Sequence, residues 1–247
     1  MENLELASLH DYYSVRLMIT ECELYSLHQG RMREHAHDYG HHFLSRCLPA
    51  CLWTASDYIT AQRHRARIIE SMKPVYGKYD VLVTVGAGPA PDLNDHKKLG
   101  SADKFLRPGM GTLFSVTGAP ALALCCGFSK NGLPLGMQIA GRPFEDATVL
   151  AVGHAYEQAT SWRHKRPDLR PASAPPSIAD TSQSPVNVRV SPEDERRMRH
   201  MADLAGLRLD DELFGLLLET GPYALELSRR LSRDLPWDQG QAAVFRL

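Results

Sequence analysis

No two cysteines in this 247-residue chain stand at Cys-x-x-Cys spacing, and the total of five (Cys22, Cys47, Cys51, Cys125 and Cys126) is odd. That excludes a disulfide framework and the common structural zinc motifs. No run of eighteen apolar residues occurs, nor an amino-terminal charged-then-apolar signal, so neither a membrane span nor secretion is expected. A reducing cytoplasm is the compartment these absences imply. Net charge is also missing: 28 basic residues stand against 29 acidic ones, so nucleic acid is not an expected partner. Neither Gly-x-Gly-x-x-Gly nor a Walker sequence is present, and no cofactor is expected.

What the chain has is a 43% hydrophobic composition, ample for a packed core, in a length suited to one large domain or one domain plus an appendage. Val15, Met18, Ile19, Cys22 and Tyr25 form a helical stripe, and residues 11 to about 78 are dominated by helical patterning. Trp53-Thr-Ala-Ser-Asp57 offers a capped start for a helix running to Pro74. Gly86 to Gly111, rich in glycine and proline, reads as a long connection. Ala121–Cys126 and Leu133–Ile139 are strand-length apolar runs around the turn Ser129-Lys-Asn-Gly132, which predicts an antiparallel hairpin. Val149, Val152, Tyr156 and Ala159 then recur at helical spacing within Phe144–Trp162.

The segment Thr117–Asp146 resembles the carboxyl-terminal half of amidase-signature enzymes. It carries, after Phe114, the family's Thr117-Gly118-x-Pro120-Ala121, then Gly132-Leu-Pro-x-Gly136-x-Gln138 and Gly141-Arg-Pro-Phe-Glu145. Upstream, Tyr58-Ile-Thr-Ala61-x-x-x-Arg65 and Tyr79-Asp-Val-Leu-Val-Thr84 resemble the family's preceding helix and strand, so the likeness covers roughly residues 8 to 168. Val85-Gly86 replaces the usual Pro-Thr, Ser115 a common Asn, and Cys125 a common Pro. The family's Lys, cis-Ser and nucleophilic Ser belong to a Gly/Ser-rich stretch of the amino-terminal half. No Gly-Gly-Ser-Ser run exists here, and the resemblance assigns no catalytic residue to this chain.

The resemblance does imply binding residues. Arg46 falls in the helix where tRNA-dependent amidotransferases place an arginine for the substrate carboxylate, a task suited to a bidentate guanidinium; an ordinary surface arginine is the alternative. Thr117 and Gln138 can orient a substrate amide or hydrogen-bond the local backbone. Ser101-x-x-Lys104 has the spacing of an amine-activated serine, yet lies in a Gly/Asp-rich stretch and reads as a solvated loop. His35, His37, His41 and His42 cluster without His-Glu-x-x-His, so a polar helix end is expected and no metal.

From Lys165 the chain turns rich in Pro, Ser and Ala, a linker assigned to residues 169–190. Ser191-Pro-Glu-Asp194 starts a helix with cap, proline and acids in place. A second helix is predicted over Asp210–Arg233, kinked or split at Gly221-Pro222. Two such helices cannot bury their apolar faces alone and should dock on something. Met201–Leu209, Asp210-Asp-Glu-Leu and the ending Ala243–Leu247 resemble the small C-type subunits of amidotransferases and the accessory subunit of carboxybiuret hydrolase.

The expected fold class is α/β, a mixed sheet flanked by helices as a partial amidase-signature fold (1–168), with a helical appendage (191–247). The expected function is that of the carboxyl-terminal portion of an amidase acting on a small amide, inactive alone. The expected partner is an amino-terminal amidase half or a second copy. A regulatory subunit or a decayed fragment are the alternatives.

Overall fold

The structure is a computed structural model that describes residues 6, 8–86, 109, 111–166, 190–231 and 233–235. The predicted linker, Ser101, Lys104 and most of the Gly86–Gly111 connection lie outside the described residues. The chain divides into two compact units, and α3 (Ala55–Lys78) passes from the first into the second at Met72.

The first unit draws on both ends of the chain. Its elements are α1 (Leu9–His35), α2 (His41–Cys47), a 3-10 stretch Leu48–Leu52, the start of α3, and the carboxyl-terminal helices α6 (Pro192–Leu204) and α7 (Asp211–Arg230). Met32, Leu44, Leu48 and Leu52 share one buried cluster with Met198, Leu213, Phe214 and Leu217. The amphipathic tail therefore docks on the amino-terminal helices, which covers the faces it cannot cover itself. Ser191 caps α6 as its spacing predicts, its hydroxyl accepting from the Asp194 amide at 3.1 Å. Thr54 caps α3, accepting from the Asp57 amide at 3.2 Å. Two expectations are corrected here: α3 continues four residues past Pro74, and α7 runs unbroken through Gly221-Pro222. Burial of Leu216, Leu217, Ala224 and Leu225 on either side of Pro222 supplies the packing that offsets the missing amide bond.

The second unit holds the end of α3, β1 (Val81–Val85), α4 (Thr112–Thr117), β2 (Ala121–Phe128), β3 (Pro134–Gly141) and α5 (Asp146–Ala159). The α/β class stands, with helices around a small sheet of order β1-β3-β2; both described pairings are antiparallel. The hairpin forms as read, with a bulge between Cys125 and Gly127 that leaves Cys126 out of register. Thr117 ends a helix rather than entering a strand, because Gly118 adopts φ 72°, a left-handed cap that turns the chain toward β2.

α5 lies on β2 and β3, with Val149 against Gly141 and Gly153 against Leu122, where the absent side chain lets the helix approach. β1 receives no such cover. Val83 and Val85, in register with Ile139 and Met137, are 50% and 67% exposed. Gly86 extends the β1–β3 ladder, its amide donating to the Gly136 carbonyl at 2.9 Å, and a Cβ there would meet the Gly136 backbone. Alternation then turns the Val85 amide away from β3, so valine in place of proline changes no bond to that strand.

Candidate functional site

The cross-strand register sets Thr84 on β1 opposite Gln138 on β3, with Ala123 of β2 beyond it. The backbone of Gly111, just before α4, lies over the Gln138 carboxamide: a Cβ there would stand 3.1 Å from Nε2 and 3.2 Å from Oε1. Thr84 Oγ1 and Gln138 Oε1 are both buried, yet neither has a hydrogen-bond partner among the described residues. Tyr76, near the end of α3, has a third such oxygen beside Thr117, and burial pushes its phenol up while Thr117 acts in the opposite sense.

Each buried, unmatched oxygen costs on the order of 1–3 kcal/mol, so a pair of them facing one another is not a packing solution. It is an arrangement that a ligand N–H or an ordered water would complete. Sequence reasoning named Gln138 and missed Thr84 and Tyr76. The signal for Thr84 was in hand: alternation along Val81–Val85 puts it on the face of Leu82, opposite Val83.

Thr117 is otherwise engaged. Its hydroxyl donates to the Leu113 carbonyl at 3.0 Å within α4, the local backbone bonding that was the alternative to substrate contact.

Arg46 lies in the first unit, on α2. Its Nε and Nη2 donate to one oxygen of Glu21, at 3.1 and 2.6 Å. Glu21 is fully buried in α1, and its second oxygen has no partner among the described residues. Burial raises the Glu21 carboxyl above its usual range, while Arg46 and then Arg16 draw it back. The Arg46 side chain keeps 34% exposure, and its Nη1 makes no hydrogen bond among the described residues. The guanidinium is thus oriented from one side and open on the other.

The remaining candidates resolve into structure. His37 Nε2 meets Asp210 at 2.6 Å, and His28 Nδ1 meets the Tyr39 hydroxyl at 3.2 Å. Among the described residues no three His, Cys, Asp or Glu side chains are grouped to hold a metal ion. All five cysteines are free thiols. Burial drives those of Cys22, Cys47 and Cys51 up to about 12, which leaves them protonated and poorly nucleophilic at neutral pH. No described helix is long and apolar enough to cross a membrane.

A sheet with an amide-bearing wall and a preceding arginine-bearing helix is the portion of chain where a family match falls: residues 46–150 match the Amidase family. That stretch takes in α3, β1, α4, β2, β3 and the first residues of α5, and excludes the tail helices.

Within it the chain is 37% identical over 116 residues to the A-type subunit of glutamyl-tRNA(Gln) amidotransferase from Thermodesulfovibrio yellowstonii, covering 45% of this chain. It is 35% identical over 116 residues to the protein of that name from Brevibacillus brevis, and 38% over 117 residues to that from Chloroflexus aggregans. The match spans 23% of the length of each of these relatives.

A test of the orphaned pair is substitution of Gln138 by leucine, which removes the unmatched oxygen and keeps side-chain bulk. Equilibrium unfolding should show the variant as stable as the parent or about 1 kcal/mol more so. A loss of more than about 2 kcal/mol would mean the carboxamide holds the fold together.

Proposed function

We propose that this chain supplies the carboxyl-terminal portion of an enzyme that breaks amide C–N bonds, as a hydrolase or an amidotransferase. The observation that carries the reading is the coincidence of the amidase match with Thr84 and Gln138, whose unmatched oxygens would accept N–H bonds from a substrate carboxamide. Arg46 would bind a substrate carboxylate through its open edge, with Glu21 holding it from behind, and Thr117 would support the wall from α4.

In the resembling family a serine attacks the amide carbonyl, and its proton passes through a second serine to a lysine. Backbone amides hold the oxyanion, and water or ammonia resolves the acyl-enzyme. None of those three residues can be assigned in this chain, so its part is to bind and orient. The five free cysteines suit a reducing cytoplasm.

Residues 191–247 are read as a built-in counterpart of the small helical subunits that accompany such enzymes, joined through 169–190 to an amidase-derived segment 1–168. These are boundaries of descent; in three dimensions the tail joins α1 and α2. The partner is an amino-terminal amidase half, for which the open side of β1, with Val83 and Val85 exposed, offers an edge. A second copy of the chain could use the same edge.

The deciding experiment is an ammonia-release assay on simple carboxamides and glutamine. The purified chain alone should give no turnover above buffer. Added to an amidase amino-terminal fragment that contains the Lys, Ser and Ser, it should restore activity. Turnover by the chain alone would overturn the reading, and a tight complex without activity would favour a regulatory role.

A further inference from the structure

Within the first unit a cleft of about 200 Å³ opens between the end of α1 and the turn that joins the two tail helices. Met32 and Leu213 form its apolar floor, each buried in the core. Arg33, Glu34, His37 and Arg208 stand around it.

The cations are not equivalent. Arg33 is fixed: its Nε donates to the Ala205 carbonyl at 2.9 Å and its Nη2 to Gln29 at 3.0 Å. Gly206, at φ 74°, lies against it, and this left-handed residue with no side chain is what lets the guanidinium seat on the end of α6. His37 is held by Asp210, whose other oxygen caps α7 by accepting from the Leu213 amide at 3.0 Å. The helix start is thereby already satisfied, so the positive character of the cleft comes from side chains. Arg208 makes no hydrogen bond or ion pair among the described residues. It is a guanidinium aimed at a cleft with nothing to hold.

We propose that this cleft binds a small monocarboxylic acid with a short aliphatic stem. Arg208 takes the carboxylate through its planar fork, Arg33 adds a fixed second charge, and the stem lies on Met32 and Leu213. Glu34 at the rim selects for low charge: it repels a dianion such as phosphate more than a monoanion. The volume suits a stem of a few carbons. Because α1 contributes one wall and the tail turn the other, an occupant adds contacts between them and stabilises the docked tail.

The site is independent of the amidase reading and is tested on the full chain without any activity. Titration with 4-methylpentanoate, followed by calorimetry and by ligand-observed NMR, should show saturable binding with a Kd of about a millimolar. Arg208→Ala should weaken it at least about tenfold, and Arg208→Lys by less, since the charge remains while the fork is lost. Both variants should keep the parent circular dichroism, because Arg208 is exposed and supports nothing. Glu34→Gln should tighten binding. Absence of saturation, binding indifferent to Arg208→Ala, or inorganic phosphate binding more tightly than the acid would each overturn the proposal.

Discussion

Replacing Asp57 with alanine should loosen the tail helix α7 more than any other change of a single polar residue in the first unit. The Asp57 carboxylate is 7% exposed and accepts four hydrogen bonds. Thr54 donates its amide at 2.8 Å and its hydroxyl at 2.7 Å to one oxygen, Ser228 donates its hydroxyl at 2.7 Å and Arg233 its guanidinium at 2.6 Å to the other. One side chain thus closes the cap of α3 and anchors the end of α7. Hydrogen bonds to a charged group contribute about 1.5–3 kcal/mol each, and they are not additive here, so a loss of roughly 3 kcal/mol is expected.

Hydrogen exchange read by mass spectrometry should then show the amides of residues 211–230 exchanging roughly a hundredfold faster, since every 1.4 kcal/mol is about a factor of ten. The pH dependence gives a second check. Burial alone would raise the Asp57 carboxyl; the bonds from Thr54 and Ser228 and the charge of Arg233 outweigh it and hold the group below the usual aspartate range. Its contribution is therefore full above the unfolded value and lost as pH falls through the folded one. Parent and variant should converge in strong acid. Unchanged exchange in 211–230 at neutral pH would show that the apolar cluster alone holds the tail.

Replacing Arg46 with methionine should produce the opposite pH signature. The substitution strands Glu21, fully buried, with neither oxygen matched, and breaking such a pair by removing one partner costs about 3–5 kcal/mol. Glu21 already titrates above its usual range because of burial, with Arg46 the largest opposing influence. Without Arg46 the folded value rises further. A carboxyl raised in the folded state favours folding below the unfolded value and opposes it as pH rises toward the folded one.

The variant should accordingly be near parental in stability in mild acid and fall away toward neutral pH, as followed by urea unfolding at a series of pH values. The double change Glu21→Leu with Arg46→Met should recover most of the loss, because a buried pair can give way to apolar side chains at little cost. If the single variant lost nothing at neutral pH, Glu21 would already be protonated and Arg46 free for a ligand on both edges.

The elements that read correctly from sequence are those whose causes are local. The hairpin follows from two apolar runs around Ser129–Gly132, and the starts of α3 and α6 from Thr54 and Ser191 at their caps. Thr117 was set in a strand motif, but a left-handed Gly118 ends a helix there, and nothing in the pattern marks a six-residue helix. The unbroken α7 was illegible because Pro222 signals a break locally, while burial of the leucines around it decides the outcome. In the candidate site, Gln138 stood out through its motif. Its partner Thr84 needed the strand register, and the Glu21–Arg46 pair needed the packing of two helices 25 residues apart in sequence, which no periodicity encodes.

The docking of the tail on the first helices sets an order of events in the growing chain. The Trp53 indole donates to the Ala224 carbonyl across 171 positions of sequence. At ribosomal speeds of about 5–20 residues per second, α1 and α2 wait roughly 10–30 s after emerging before the residues that cover them exist. The hairpin unit, whose strands and helix follow one another closely, can finish first. For that interval Leu44, Leu48 and Leu52 face solvent or a chaperone, and the nascent chain is most exposed to misassembly just before its last helix is made.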